Sequence, residues 1–157
     1  MEGKDACVEP VEREPRILVH TTPGLLPQSK ETQPGTVAEI TLDPTIRFGM
    51  FFLALGCSIR LFREGLCPLL IMECTHLKGD YVGSMFLAIG MDANNKICPI
   101  DMGVGKSESG QARLRGCIGE RANLTFVTDM VPTIEFAIRM VFLNAHHKLC
   151  ARHKARK

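Results

Sequence analysis

The sequence predicts an α/β fold, and three features predict it. Two continuous apolar runs of strand length, "PLLIMEC" and "GSMFLAIGM", follow one another and lead through "DANNKI" into a third, "CPIDMGVG". A fourth run, "NLTFVTDMV", closes on an acid. After Pro132 comes "TIEFAIRMVFL", where Ile134, Ile138, Val141 and Phe142 recur at helical spacing. Three strands, a linker, a strand and a helix make the pattern.

The elements follow in chain order. Residues 1–35 carry Pro10, Pro15, Pro23, Pro27 and Pro34 among charges without a sustained period, which predicts a disordered or extended leader. Residues 36–65 form an upstream segment, partly helical. In it "TVAEITLD" alternates like a half-buried strand, and Phe48 to Phe62 reads as mostly helical, although short apolar runs are ambiguous by period. Residues 66–157 hold the strands and helix named above. Asp92, Asn94 and Asn95 mark a hairpin turn, and Thr133 or Thr128 is available to cap the helix. Asp101 interrupts an apolar strand, where it either faces solvent or destabilises the sheet.

With 157 residues, 45% of them hydrophobic and 23% charged, the chain has material for one core of ordinary size. A formal net charge of +2 does not by itself point to nucleic acid, but the charge is unevenly spread. The acids Glu2, Asp5, Glu9, Glu12 and Glu14 lie at the start, and Lys148, Arg152, Lys154, Arg156 and Lys157 at the end. That basic end reads as a phosphate-contacting or nuclear-import segment, or as a solvated tail. Seven scattered cysteines with no C-x-x-C pair argue against a disulfide framework and fit a reducing compartment. The charged N-terminus is unlike a secretory signal, and the longest apolar run, "MFFLALGC", is far short of the ~20 residues a membrane span needs. Cytosol or nucleus is the expected location, with no membrane and no small-molecule substrate.

Glu73 and Asp129 both stand at the C-terminal ends of apolar strands. That edge of an α/β sheet is where ligands collect. A buried lone carboxylate is costly, so a strand ending on one opens onto water there or belongs to a site. Two carboxylates from different strands can hold a divalent cation, as in two-metal phosphoryl transfer, although strand-end acids also serve as turn caps.

From about Leu26 onward the chain resembles the Mutator-like element (MULE) transposases. "PLLIMECTHLKGDYVG" is similar to that family's P-V-I-x-x-D-G-T-H-L-K-G-x-Y-x-G signature, and "LAIGMDANNKICPI" to its D-x-N-x-x-x-x-P-I hairpin. "LTFVTD" resembles its I-x-S-D strand, and "VFLNAHHKLCARH" its V-F-P-x-A-x-H-x-x-C-x-x-H segment. The resemblance implies an RNase H-like mixed sheet with flanking helices, truncated here before the family's helical insertion and final catalytic helix. It implies DNA cleavage and strand transfer at terminal inverted repeats, with Mg²⁺ or Mn²⁺ as cofactor. Two strand aspartates and a later glutamate bind the metals in the family. The aspartates fall on Glu73 and Asp129, which are therefore the expected catalytic and metal-binding pair.

The chain departs from the family pattern in ways that bear on chemistry. Glu73 replaces an aspartate and carries the carboxylate one methylene farther out, and a displacement of about 1 Å can cost ~10²-fold in a geometry-limited reaction. Cys74 stands where the family has glycine. "GKSESGQARLRGCIGER" lacks the family's tryptophans and contains Gly110, Gly116 and Gly119, so the helix that should cover one sheet face is predicted to be damaged. The expectation is a diverged transposase domain, inactive in cleavage. Its alternative is a non-catalytic DNA- or transposase-binding module retained after domestication, with DNA and another transposase chain as partners. Cys150 and His153 amount to half of a tetrahedral zinc set, or to polar residues around a last strand. Lys78, Lys148, Arg152 and Lys154 are the candidate DNA-contacting cations, and Lys78 and His76 are further candidates to orient Glu73. Glu135 is not expected to supply the third acid.

Overall fold

The computed structural model describes residues 31–78, 82–105, 110–129 and 132–151. The expected leader therefore lies, up to residue 30, outside the described residues. Ten elements follow: β1 (Val37–Leu42), β2 (Phe48–Ala54), α1 (Gly56–Glu64), β3 (Leu69–His76), β4 (Ser84–Met91), β5 (Ile97–Gly105), α2 (Gly110–Ile118), β6 (Thr125–Thr128), α3 (Pro132–Val141) and β7 (His146–Leu149). The seven strands form one sheet in the order β1-β2-β5-β4-β3-β6-β7. Strands β3, β4 and β5 are antiparallel neighbours, while β6 joins β3, and β7 joins β6, in parallel. That mixed sheet with helices is of the RNase H-like type.

The stretch expected to be mostly helical from Phe48 to Phe62 is instead a strand followed by a helix. Met50, Phe52 and Ala54 are buried while Phe51 and Leu53 between them are half-buried, a period of two that burial on a sheet selects. β2 pairs with β1 on one side and with β5 on the other, so the upstream segment extends the same sheet. α1 begins at Gly56 because the backbone there lies against Pro34 and Gly35. A Cβ at Gly56 would meet the Pro34 carbonyl at 2.1 Å. The Gly56 N–H donates to Thr36 Oγ1 at 3.0 Å. At the other end of α1, Arg121 donates to the carbonyls of Phe62 and Leu66, each at 2.6 Å, satisfying groups that a helix C-terminus leaves open.

Strand register divides the side chains between two faces. Phe52, Ala88, Leu70, Met72 and Phe126 share one face and join Ile59, Phe62, Leu114, Ile118, Ile134, Ile138 and Phe142 in a single core. All three helices thus pack on this face. α2 is not the damaged helix that its glycines suggested: Leu114, Cys117 and Ile118 are buried along it, and Arg113 grips Glu39 of β1 with two bonds of 2.7 and 2.8 Å. Two of the three glycines stand at its ends, and Gly119 takes φ +71°, the left-handed geometry in which glycine commonly stops a helix. The opposite face carries Leu53, Met102, Leu87, Ile71 and Val127, all half-buried.

The turn signals form as expected. Asp92 Oδ1 accepts the N–H groups of Asn94 and Lys96, and Asn95 adopts φ 61°. Asp101, expected to face solvent or to destabilise the sheet, is buried and has a structural use. The register shifts after Ala88, where Ile100 is inserted as a bulge, and Asp101 Oδ1 accepts the Ala88 N–H at 3.0 Å. Burial nevertheless pushes its carboxyl up to about 7. Thr128 is not the cap of α3, because its hydroxyl donates to the carbonyl of Asp129 at 2.8 Å. The helix opens on Pro132, whose missing N–H costs nothing at a first position.

Candidate functional site

β3 and β6 run parallel as the fifth and sixth strands of the sheet, in the register Leu70 to Phe126, Ile71 to Val127 and Met72 to Thr128. The next step of each strand is Glu73 and Asp129. The two acids expected to form the pair at strand ends are therefore each one step beyond the last paired residues of β3 and β6, but only Asp129 follows a strand end, because Glu73 lies within β3, which continues to His76. By alternation both belong to the face opposite the helices, where Glu73 sits directly across from Leu87 of β4. Both are half-buried. Among the described residues neither has a cationic partner, and Asp129 Oδ1 is buried with no hydrogen bond.

That orphaned oxygen is the test of whether the residues fit a divalent cation. Buried polar atoms are nearly always satisfied, and a carboxylate oxygen left bare beside a second carboxylate suits a hard cation that prefers oxygen ligands. The pair fits as two oxygen donors. Among the described residues no group of three or more His, Cys, Asp or Glu side chains is placed to hold a metal.

The end of β6 is fixed from the covered face. Thr128 is fully buried, and its Oγ1 lies 2.8 Å from His147 Nε2 of β7. His147 Nδ1 in turn lies 3.7 Å from Glu135, which Arg139 holds at 2.8 Å one helical turn on. Glu135 is thus engaged in an ion pair on α3. The Cys150 N–H donates to Thr128 O at 2.7 Å, extending the pairing of β6 and β7 by one residue.

The other candidates are dispersed. His76 shares the parity of Leu70, Met72 and Cys74, so it leans away from Glu73, and its Nδ1 lies 3.2 Å from Ser84 Oγ. It does not orient Glu73. Lys78 is exposed just beyond β3. Lys148 is exposed on the face of the acids, because β7 pairs it with Val127. Cys150 is half-buried, while His153, Arg152 and Lys154 lie outside the described residues. Sequence reasoning passed over the contact between His147 and Thr128. The signal was available in the alternation of "TFVT" and "HHKL", but only the β6–β7 register brings the two residues into line.

A family model, the MULE transposase domain, matches residues 69–157, more than half of the chain. The chain belongs to the MULE transposase family. The match opens on Leu69, the first residue of β3, and takes in both acids. β1, β2 and α1 precede the matched range, yet they complete the sheet and its core. No curated protein matches the chain. No helix among the described residues is long and apolar enough to cross a membrane.

Proposed function

We propose that this MULE transposase domain retains a divalent-cation site at Glu73 and Asp129, with catalytic parentage, and has lost DNA cleavage. The observation that carries the reading is the buried, unbonded Asp129 Oδ1 one register step from Thr128, with Glu73 one step beyond Met72 on the parallel neighbour. In the family's chemistry, bound Mg²⁺ or Mn²⁺ neutralises charge on the reacting phosphodiester oxygens. Glu73 and Asp129 would hold the cation. The longer reach of Glu73 supports the loss of cleavage, because that chemistry tolerates little displacement of its ligands.

DNA is the partner this reading implies, the nucleus the compartment, and another transposase chain a further partner. Lys148, exposed on the face of the acids, favours a second reading in which the domain binds DNA or a transposase without cutting. The two readings part on the metal. With supercoiled plasmid and Mg²⁺ or Mn²⁺, no nicking is expected above the level of an Asp129→Ala control. Nicking that disappears in that control would overturn the loss of cleavage. Mn²⁺ should raise the melting temperature of the wild-type chain and not of Asp129→Asn, since a ligand bound only by the native state stabilises it. Salt-sensitive DNA binding without any such rise would favour the second reading.

A further inference from the structure

We propose that His147 is a positioning residue for Asp129, acting through Thr128 from the opposite face of the sheet. The inference rests on the reading of Glu73 and Asp129 as a cation pair and adds what holds that pair in place. Thr128 is fully buried, so its hydroxyl has only protein partners to satisfy it. It has one proton to give. That proton goes to the Asp129 carbonyl at 2.8 Å, so His147 Nε2, also at 2.8 Å, must be the donor to Thr128 Oγ1.

The consequence is a directed chain of bonds from His147 to Thr128 to the main chain of Asp129. It fixes the peptide that carries the carboxylate while leaving the carboxylate itself free, and Asp129 Oδ1 is indeed without a partner. The ring is bracketed from its other side by Glu135, 3.7 Å from Nδ1 and held by Arg139 at 2.8 Å. The His147 side chain is only 8% exposed, so water does not readily replace it. The Cys150 N–H to Thr128 O bond pins the same residue through its backbone. Thr128 thus belongs to the covered face and Asp129 to the open one, and the strand end transmits the constraint between them.

The test compares the full-length wild type with His147→Ala, His147→Gln, Thr128→Val and Thr128→Ser. Gln retains an N–H donor and Ser retains the hydroxyl. Mn²⁺ affinity, measured by calorimetry, is expected to fall by about 10- to 100-fold in His147→Ala and Thr128→Val and to stay within about threefold in His147→Gln and Thr128→Ser, the scale on which outer partners of metal ligands act. Hydrogen exchange of the Cys150 amide in metal-free protein should accelerate in the same two variants alone. Unchanged Mn²⁺ affinity in His147→Ala, or an equal loss in His147→Gln, would overturn the positioning role. If wild type and Asp129→Asn alike show no Mn²⁺ binding, the cation reading fails by itself. The Cys150 exchange pattern then decides the positioning role on its own: acceleration confined to the two disruptive variants supports it, and any other pattern overturns it.

Discussion

On the helix-covered face of the sheet, Asp101 of β5 is buried and accepts a backbone N–H from Ala88. On the opposite face, Glu73 two strands away within β3 and Asp129 three strands away just past β6 stand half-buried, one of their oxygens bonded to nothing. All three are acids in or just beyond apolar strands, and the sequence gives little to tell them apart. What separates them is the use of the carboxylate. Asp101 spends an oxygen on the bulge and fixes the fold. The Glu73 and Asp129 pair sits where the fold does not need it. Gln111 complicates the covered face, because it is fully buried on α2 with neither amide atom bonded. Buried polarity by itself is therefore not the mark of the site. An unbonded oxygen at a ligand-collecting sheet edge, next to a second acid, is the more selective sign.

The comparison is most exposed to failure at Asp101. Its native carboxyl is raised from the ordinary 3.8 to about 7, so the folded chain holds that proton more tightly than the unfolded chain does. The contribution of Asp101 is therefore most favourable below about pH 4, declines as pH rises toward 7 and is flat above, a span of roughly 4 kcal/mol. Asp101→Asn keeps an oxygen for the Ala88 N–H and removes the charge. It is expected to stabilise the fold at pH 8 by up to about 4 kcal/mol and by much less at pH 5, as read by urea unfolding. An equal effect at both pH values would show that Asp101 is not the buried acid described.

Gln111→Met should stabilise by about 1–3 kcal/mol, because it removes two unpaired polar atoms and keeps the side chain's length. Destabilisation would mean that the amide is satisfied in solution, and would restore polarity as a property the covered face tolerates. On the exposed side of α2, a Cβ at Gly116 meets nothing within 4 Å, so Gly116→Ala should raise stability by about 0.5–1 kcal/mol. Thermal unfolding that shows no gain would mean that α2 frays in solution and that the covered face is less well covered than described.

The smallest effect on stability belongs to the acids of the open face. Glu73→Gln is expected to change metal-free stability by less than about 0.5 kcal/mol, since it breaks no bond and touches no core contact. It should nonetheless abolish the Mn²⁺-dependent rise in melting temperature. A large metal-free loss would make Glu73 a structural acid like Asp101 and erase the contrast between the faces.

The sequence alone determined the α/β class, the hairpin at Asp92 to Asn95, the run of three strands and the nomination of Glu73 with Asp129, because each rests on local period, turn chemistry or motif order. It did not separate strand from helix across Phe48 to Phe62, where apolar content satisfies both periods until β1 and β5 supply hydrogen-bonding edges for β2. It underrated α2, because glycine propensity is weak against the burial of Leu114 and Ile118 and the grip of Arg113 on Glu39. Tertiary structure alone decided the role of Asp101, set by a one-residue bulge, and the alignment of His147 with Thr128, set by the parallel register of strands separated in the chain by α3. A side chain's type is written locally, but its partner is fixed by which strand lies next to it and in what register, and those are settled only when the whole sheet has formed.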